Sequence, residues 1–182
     1  MKEERRRWEL TVDARQSSLG TVDDFMQEVS AVLDLDEDDA FAVQLATDEA
    51  CQNAVRHACE FDPDKKVVLS CESVGSDLVI RVSERGKPFD PTEASGPNLD
   101  APLAMRNGGG LGIHFMRNMM DEVRYDQGSD GVNSVTMVKR GVVGEGPAQQ
   151  GPHHHVANPT EPSDLSSNET CRSEAASRSR GQ

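Results

Sequence analysis

Ten consecutive residues, Asp48-Glu49-Ala50-Cys51-Gln52-Asn53-Ala54-Val55-Arg56-His57, constrain this chain more than any others. They lie inside a long helical pattern, and at helical pitch Glu49, Asn53 and His57 stack at i, i+4 and i+8 on one side. An apolar stripe of Val43, Ala46, Ala50 and Ala54 runs beside them and should face a core. An acid and an amide at the edge of a buried stripe need partners, because burying either unpaired costs several kcal/mol. A metal ion, a bound phosphate or a protein hydrogen bond would meet that need.

The chain around this helix reads in order as follows. Trp8 to Ala14 alternates, with Trp8, Leu10 and Val12 on one face, as a half-buried strand does. Leu19, Val22, Phe25, Met26, Val29, Val32 and Leu33 recur at helical spacing. The acidic cluster Asp34 to Asp39 suits the dipole of the next helix and offers it caps. That helix runs from about Asp38 to Cys59 and is broken by Asp62-Pro63-Asp64. Val67-Leu69-Cys71 and Leu78-Ile80-Val82, separated by Gly75-Ser76, form a hairpin pattern.

From Ser83-Glu84-Arg85-Gly86-Lys87-Pro88 to Gly110 no periodicity survives. An unstructured connection of about 20 residues inside a compact domain is usually functional, often a lid. Gly108 to Gly112 closes it and opens a helix with Leu111, Phe115, Met116 and Met119 on its apolar side. A second hairpin follows, with Val123 and Tyr125, a turn at Gly128 to Gly131, and Val132 to Lys139. Residues 141–182 are rich in Gly, Pro, Ser, Asn and Gln and bury too little surface to fold alone, so they are expected to be a disordered tail. The expected organisation is one domain over residues 1–140, in the order βαα, ββ, lid, α, ββ.

The formal net charge of −13 argues against nucleic acid and anionic membrane as partners. The charged start, Met1 to Arg7, has no apolar run behind it and does not read as a secretory signal. No stretch approaches the roughly 20 apolar residues of a membrane span. Cys51, Cys59, Cys71 and Cys171 lack CxxC pairing and read as reduced thiols of a cytoplasmic protein.

Three segments carry candidate chemistry. A glycine-rich run at a helix start offers free N–H groups and a positive dipole end for phosphate, although Gly108 to Gly112 matches neither the Walker A nor the GxGxxG pattern and reads equally as a hinge. Glu84, at a strand end before Gly86, could receive a ligand's amino group or simply form a surface turn. Glu49 and Asn53 are either a site or a capped polar pair, and Asn mid-helix needs a reason beyond propensity. His57 reads as a hydrogen-bonded residue near a helix end. His153 to His155 resembles a weak metal-binding tract in the tail.

The order of these segments resembles the GHKL ATPase superfamily. Glu-x-x-x-Asn-Ala-x-x-His on a helix looks like its N box, Glu84-Arg85-Gly86 its first glycine box, and Gly108 to Gly112 its second. Asn-Ala-Val-Arg-His and Gly-Lys-Pro-Phe-Asp-Pro are similar to the stand-alone bacterial anti-sigma factor serine/threonine kinases. The resemblance covers roughly residues 8–140. It implies a two-layer α/β sandwich, the Bergerat ATP-binding fold, with a mixed, mostly antiparallel sheet and helices on one face.

Carried over, the resemblance makes Asn53 the ligand of a Mg²⁺ that bridges the phosphates of ATP and Glu49 the base for the attacking hydroxyl. Glu84 would meet the adenine amino group and Gly86 would let the base approach. Gly108, Gly109, Gly110, Leu111 and Gly112 would wrap the phosphates. Phosphoryl transfer chiefly requires such positioning and charge neutralisation. The family's first glycine box usually opens with Asp. Glu84 carries one more methylene, which moves the carboxylate by roughly 1.5 Å. Lys87-Pro88 stands where the family often has a small residue.

The implied activity is an ATP-dependent protein serine/threonine kinase acting on an anti-sigma factor antagonist of the STAS-domain kind. A sigma factor and a second copy of the chain are the further partners. The alternative is a non-catalytic, ATP-responsive binding module that sequesters a regulatory partner. A histidine-kinase catalytic fragment ranks below both, because no helical hairpin with a phosphoacceptor histidine fits ahead of Trp8.

Overall fold

The structure, a computed structural model, describes residues 5–88 and 111–144. Alternation in the first strand, β1 (Arg6–Asp13), buries Trp8 and Leu10. A short 3₁₀ turn leads into α1 (Leu19–Val32), whose Val22, Phe25, Met26 and Val29 are buried at the expected helical spacing. Asp36 caps α2 (Glu37–Asn53) by accepting a 2.8 Å hydrogen bond from the Asp39 N–H, and three acids occupy its first turn. Both features favour the positive helix end, as the acidic cluster predicted.

Beyond Asn53 the helix departs from the expected regular form. Ala54–Ala58 is a π-helical turn, in which the Cys59 N–H reaches back five residues to the Ala54 carbonyl at 2.8 Å. The wider turn rotates the residues after Asn53, so His57 does not continue the Glu49–Asn53 stripe and is exposed. β2 (Lys66–Val74) and β3 (Asp77–Glu84) form the first hairpin, with Gly75 at φ 61° in its turn. Then come α3 (Leu111–Met119), β4 (Glu122–Gln127) and β5 (Asn133–Lys139). The buried residues of α3 and its end are Ile113, Met116 and Met120, whereas Phe115 and Met119, expected on the apolar side, are only half-buried.

The five strands run in the order β1-β2-β3-β5-β4, and among the described residues every pairing is antiparallel, in keeping with the mostly antiparallel sheet expected. One row across the inner face is Leu10, Leu69, Val82, Val135 and Tyr125. One pleat further along, the row is Val67, Glu84, Asn133 and Gln127. The inner face and the helices share one core, reaching from Trp8 to Val143. Val143, three residues past the expected domain end, is buried and its N–H bonds to the Ser76 carbonyl at 2.9 Å. Among the described residues no helix is long and apolar enough to cross a membrane.

Candidate functional site

Between α2 and the ends of the central strands lies a cavity of about 320 Å³. That volume is within the range of small-molecule sites. Ala50, Ala54 and Ala58 form its helical wall, and Val82, Val123, Tyr125 and Val135 its sheet floor. Alanines on successive turns keep the helix thin where it passes over the sheet, and the space arises there. The polar groups on the walls include Asn53, Glu84 and Asn133.

Glu84 ends the middle strand of the sheet and is only 8% exposed. A buried carboxylate needs donors, and it has two. Oε1 accepts from Asn133 Nδ2 at 2.9 Å, and Oε2 accepts from the Gly86 backbone N–H. The nearby Cys59 thiol is pushed up to about 11, first by burial and then by the negative charge of Glu84.

Gly86 has a structural reason to be glycine. A Cβ there would come closer than 3.0 Å to the Ala58 carbonyl, and the Lys87 N–H bonds to that same carbonyl at 2.9 Å. The turn after β3 is thus fastened to the π-helical end of α2. Lys87 Nζ adds a 2.7 Å ion pair with Glu60, both exposed.

Glu49, one helical turn before Asn53, does not line the cavity. It lies under α3, where a Cβ on Gly112 would come closer than 3.0 Å to Glu49 Oε2. The carboxylate therefore sits against the first turn of α3, the positive end of that helix. Gly108, Gly109 and Gly110 lie outside the described residues, as does the Leu111 side chain, although Leu111 begins α3 as expected. The tail histidines His153 to His155 and Cys171 also lie outside them.

Asp48, next to Glu49, belongs to a separate cluster between α1 and α2. Gln44 Nε2 donates to Asp23 Oδ1 at 2.9 Å and to Asp48 Oδ1 at 3.3 Å. Burial above all, then the adjoining Asp23 carboxyl, pushes Asp48 up to about 7. Tyr125 is pushed up to about 12 by burial, opposed by the charge of Arg117, which lines the same cavity.

Sequence reasoning missed Asn133, Arg117 and Tyr125. Asn133 was visible only as a polar residue at the start of the last strand, and its position opposite Glu84 follows from the β3–β5 register. Among the described residues, no group of three His, Cys, Asp or Glu side chains could hold a metal ion. At the cavity wall, beside the carboxylates of Glu84 and Asp126, Asn53 offers an amide oxygen, a hard donor. It suits Mg²⁺, which typically takes one or two protein ligands and completes its shell with phosphates and water.

Comparison with known proteins shows the family. The histidine kinase-like ATPase domain family matches residues 12–139. The chain is 31% identical to the serine/threonine-protein kinase BtrW of Bordetella bronchiseptica over 97 residues, covering 53% of this chain and 68% of that protein. It is 30% identical to the serine-protein kinase RsbW of Bacillus subtilis over 135 residues, covering 72% and 83%. A solved structure of the RsbU and RsbW domains of a Mycobacterium tuberculosis protein superposes with a TM-score of 0.54 at 20% identity. That match covers 74% of this chain and 32% of the longer one, and it shows the shared fold.

Proposed function

Because the chain belongs to the histidine kinase-like ATPase family, we propose that it is an ATP-dependent protein serine/threonine kinase of the anti-sigma type. Its substrate on this reading is a Ser or Thr of an anti-sigma factor antagonist, a STAS-domain protein. Phosphorylation of that antagonist would control availability of a sigma factor in the cytoplasm, with the kinase acting as a homodimer. The observation that carries the reading is the joint placement of Asn53 and Glu84 on one cavity, with Glu49 one turn away under α3.

Each residue then has a defined task. Glu84 accepts a hydrogen bond from the exocyclic amino group of adenine, over a floor of Val82 and Val135. Gly86 keeps the Glu84 turn fastened to α2. Asn53 supplies an oxygen to Mg²⁺, which when bound neutralises phosphate charge. The glycines from Gly108 to Gly112 offer N–H groups to the phosphates. Glu49 takes the proton of the substrate hydroxyl as its oxygen bonds to the γ-phosphorus, while the bond from that phosphorus to the bridging oxygen breaks and ADP leaves.

The test is incubation with Mg-ATP and candidate antagonists. Labelled antagonist from wild type, lost in Glu49→Ala, is the expected result. Absence of any phosphoprotein from wild type, or equal labelling from the variant, refutes the kinase reading. Calorimetric titration with Mg-ATP separates the remaining case, a module that binds nucleotide without transferring phosphate.

A further inference from the structure

We propose that Asn133 is the positioning residue for the base-recognising acid: its side-chain amide holds the Glu84 carboxylate where it can receive the amino group of an adenine ring. The inference rests on the nucleotide reading of the site given above.

Antiparallel pairing places Asn133 directly opposite Glu84, with both side chains on the inner face of the sheet. The 2.9 Å bond from Asn133 Nδ2 reaches Oε1, while the Gly86 N–H holds Oε2. Nδ2 also lies 3.4 Å from the Gly86 carbonyl, so one amide touches both the acid and the turn beside it. Each carboxylate oxygen can accept more than one donor, so both remain able to meet a ligand. A glutamate has one more rotatable bond than an aspartate, and ordering it costs more side-chain entropy. Asn133 meets that cost from the adjacent strand. The acid and the amide act as a pair.

Removing the amide has a signature that a merely structural residue would not give. Without a donor on Oε1 the carboxylate loses one of its two anchors, so the grip on a base that carries an amino group weakens while contacts to the rest of the nucleotide stay. Inosine triphosphate has a carbonyl in place of that amino group and reports on those other contacts. Asn133→Gln keeps an amide donor at the same register position.

The experiment is calorimetric titration of the full chain with Mg-ATP and with magnesium inosine triphosphate, for wild type, Asn133→Ala and Asn133→Gln, each checked by circular dichroism. Asn133→Ala should bind Mg-ATP about tenfold or more weakly than wild type, the loss expected for a hydrogen bond to a charged group. Its affinity for the inosine nucleotide should change by less than about twofold, and Asn133→Gln should recover part of the Mg-ATP loss. Mg-ATP affinity of Asn133→Ala within about twofold of wild type, or equal losses for the two nucleotides, overturns the role of Asn133 while leaving the nucleotide reading standing. A wild type that binds no Mg-ATP overturns both.

Discussion

Asp48→Asn should stabilise this protein at pH 8 and by only about a third as much at pH 5, with no gain below the ordinary carboxylate range. Asp48 and Asp23 share the donor of Gln44 between α1 and α2, and burial with that neighbour pushes Asp48 from the ordinary 3.8 to about 7. The folded chain therefore binds a proton between pH 3.8 and about 7 that the unfolded chain releases. Stability must fall as the pH rises across this window, and the loss is complete above it. At 1.36 kcal/mol per pH unit the full displacement would be worth about 4 kcal/mol. Asp48 is only half-buried, and solvent screening reduces this to about 1–2 kcal/mol. Asparagine keeps the shape and supplies its own N–H to Asp23. For a domain of this size the gain corresponds to a rise in Tm of roughly 3–8 °C at pH 8. Scanning calorimetry of wild type and variant at both pH values measures it. Equal stabilisation at pH 5 and pH 8, or a lower Tm for the variant at pH 8, would refute the account.

Three further outcomes test the geometry. Gly86→Ala drives a methyl group into the Ala58 carbonyl, and should cost about 1–3 kcal/mol in urea unfolding with a weakened grip on Mg-ATP. Unchanged stability would show that the turn is not fastened to α2. Gly112→Ala gains helix propensity but pushes on the Glu49 carboxylate, so phosphate transfer should drop by about tenfold or more in single-turnover assays while Mg-ATP affinity changes less. Cys51, Cys59 and Cys71 are buried thiols, with Cys51 pushed up to about 12 and Cys59 to about 11 by burial. Site-resolved mass spectrometry should find these three unmodified by a thiol reagent at pH 8 in the native protein, and modified after denaturation.

Much of the fold was legible because its elements are specified locally. The alternation of β1 to β3, the helical spacing of α1 and the acidic cap of α2 depend on neighbours within a few residues, so sequence carries them directly. The same holds for the candidate acid, amide and glycines, whose order along the chain made the family resemblance visible. By itself the sequence determined the element order, the apolar face of α2 and the segments from which the site is drawn.

What the tertiary structure decided depends on residues far apart in the chain. The π-helical turn at Ala54–Ala58 turned His57 out of the stripe that simple helical pitch had assigned to it. The cause is a change in hydrogen-bond register at the end of α2. Gly86 proved to be matched to Ala58, 28 residues earlier, rather than to open space. Above all, the fixed register of β3 on β5 brings Asn133 against Glu84 across 49 positions of chain. No local pattern marks such a pair, because a single asparagine carries no periodicity. The partners of a buried acid are settled only when the strands are laid side by side.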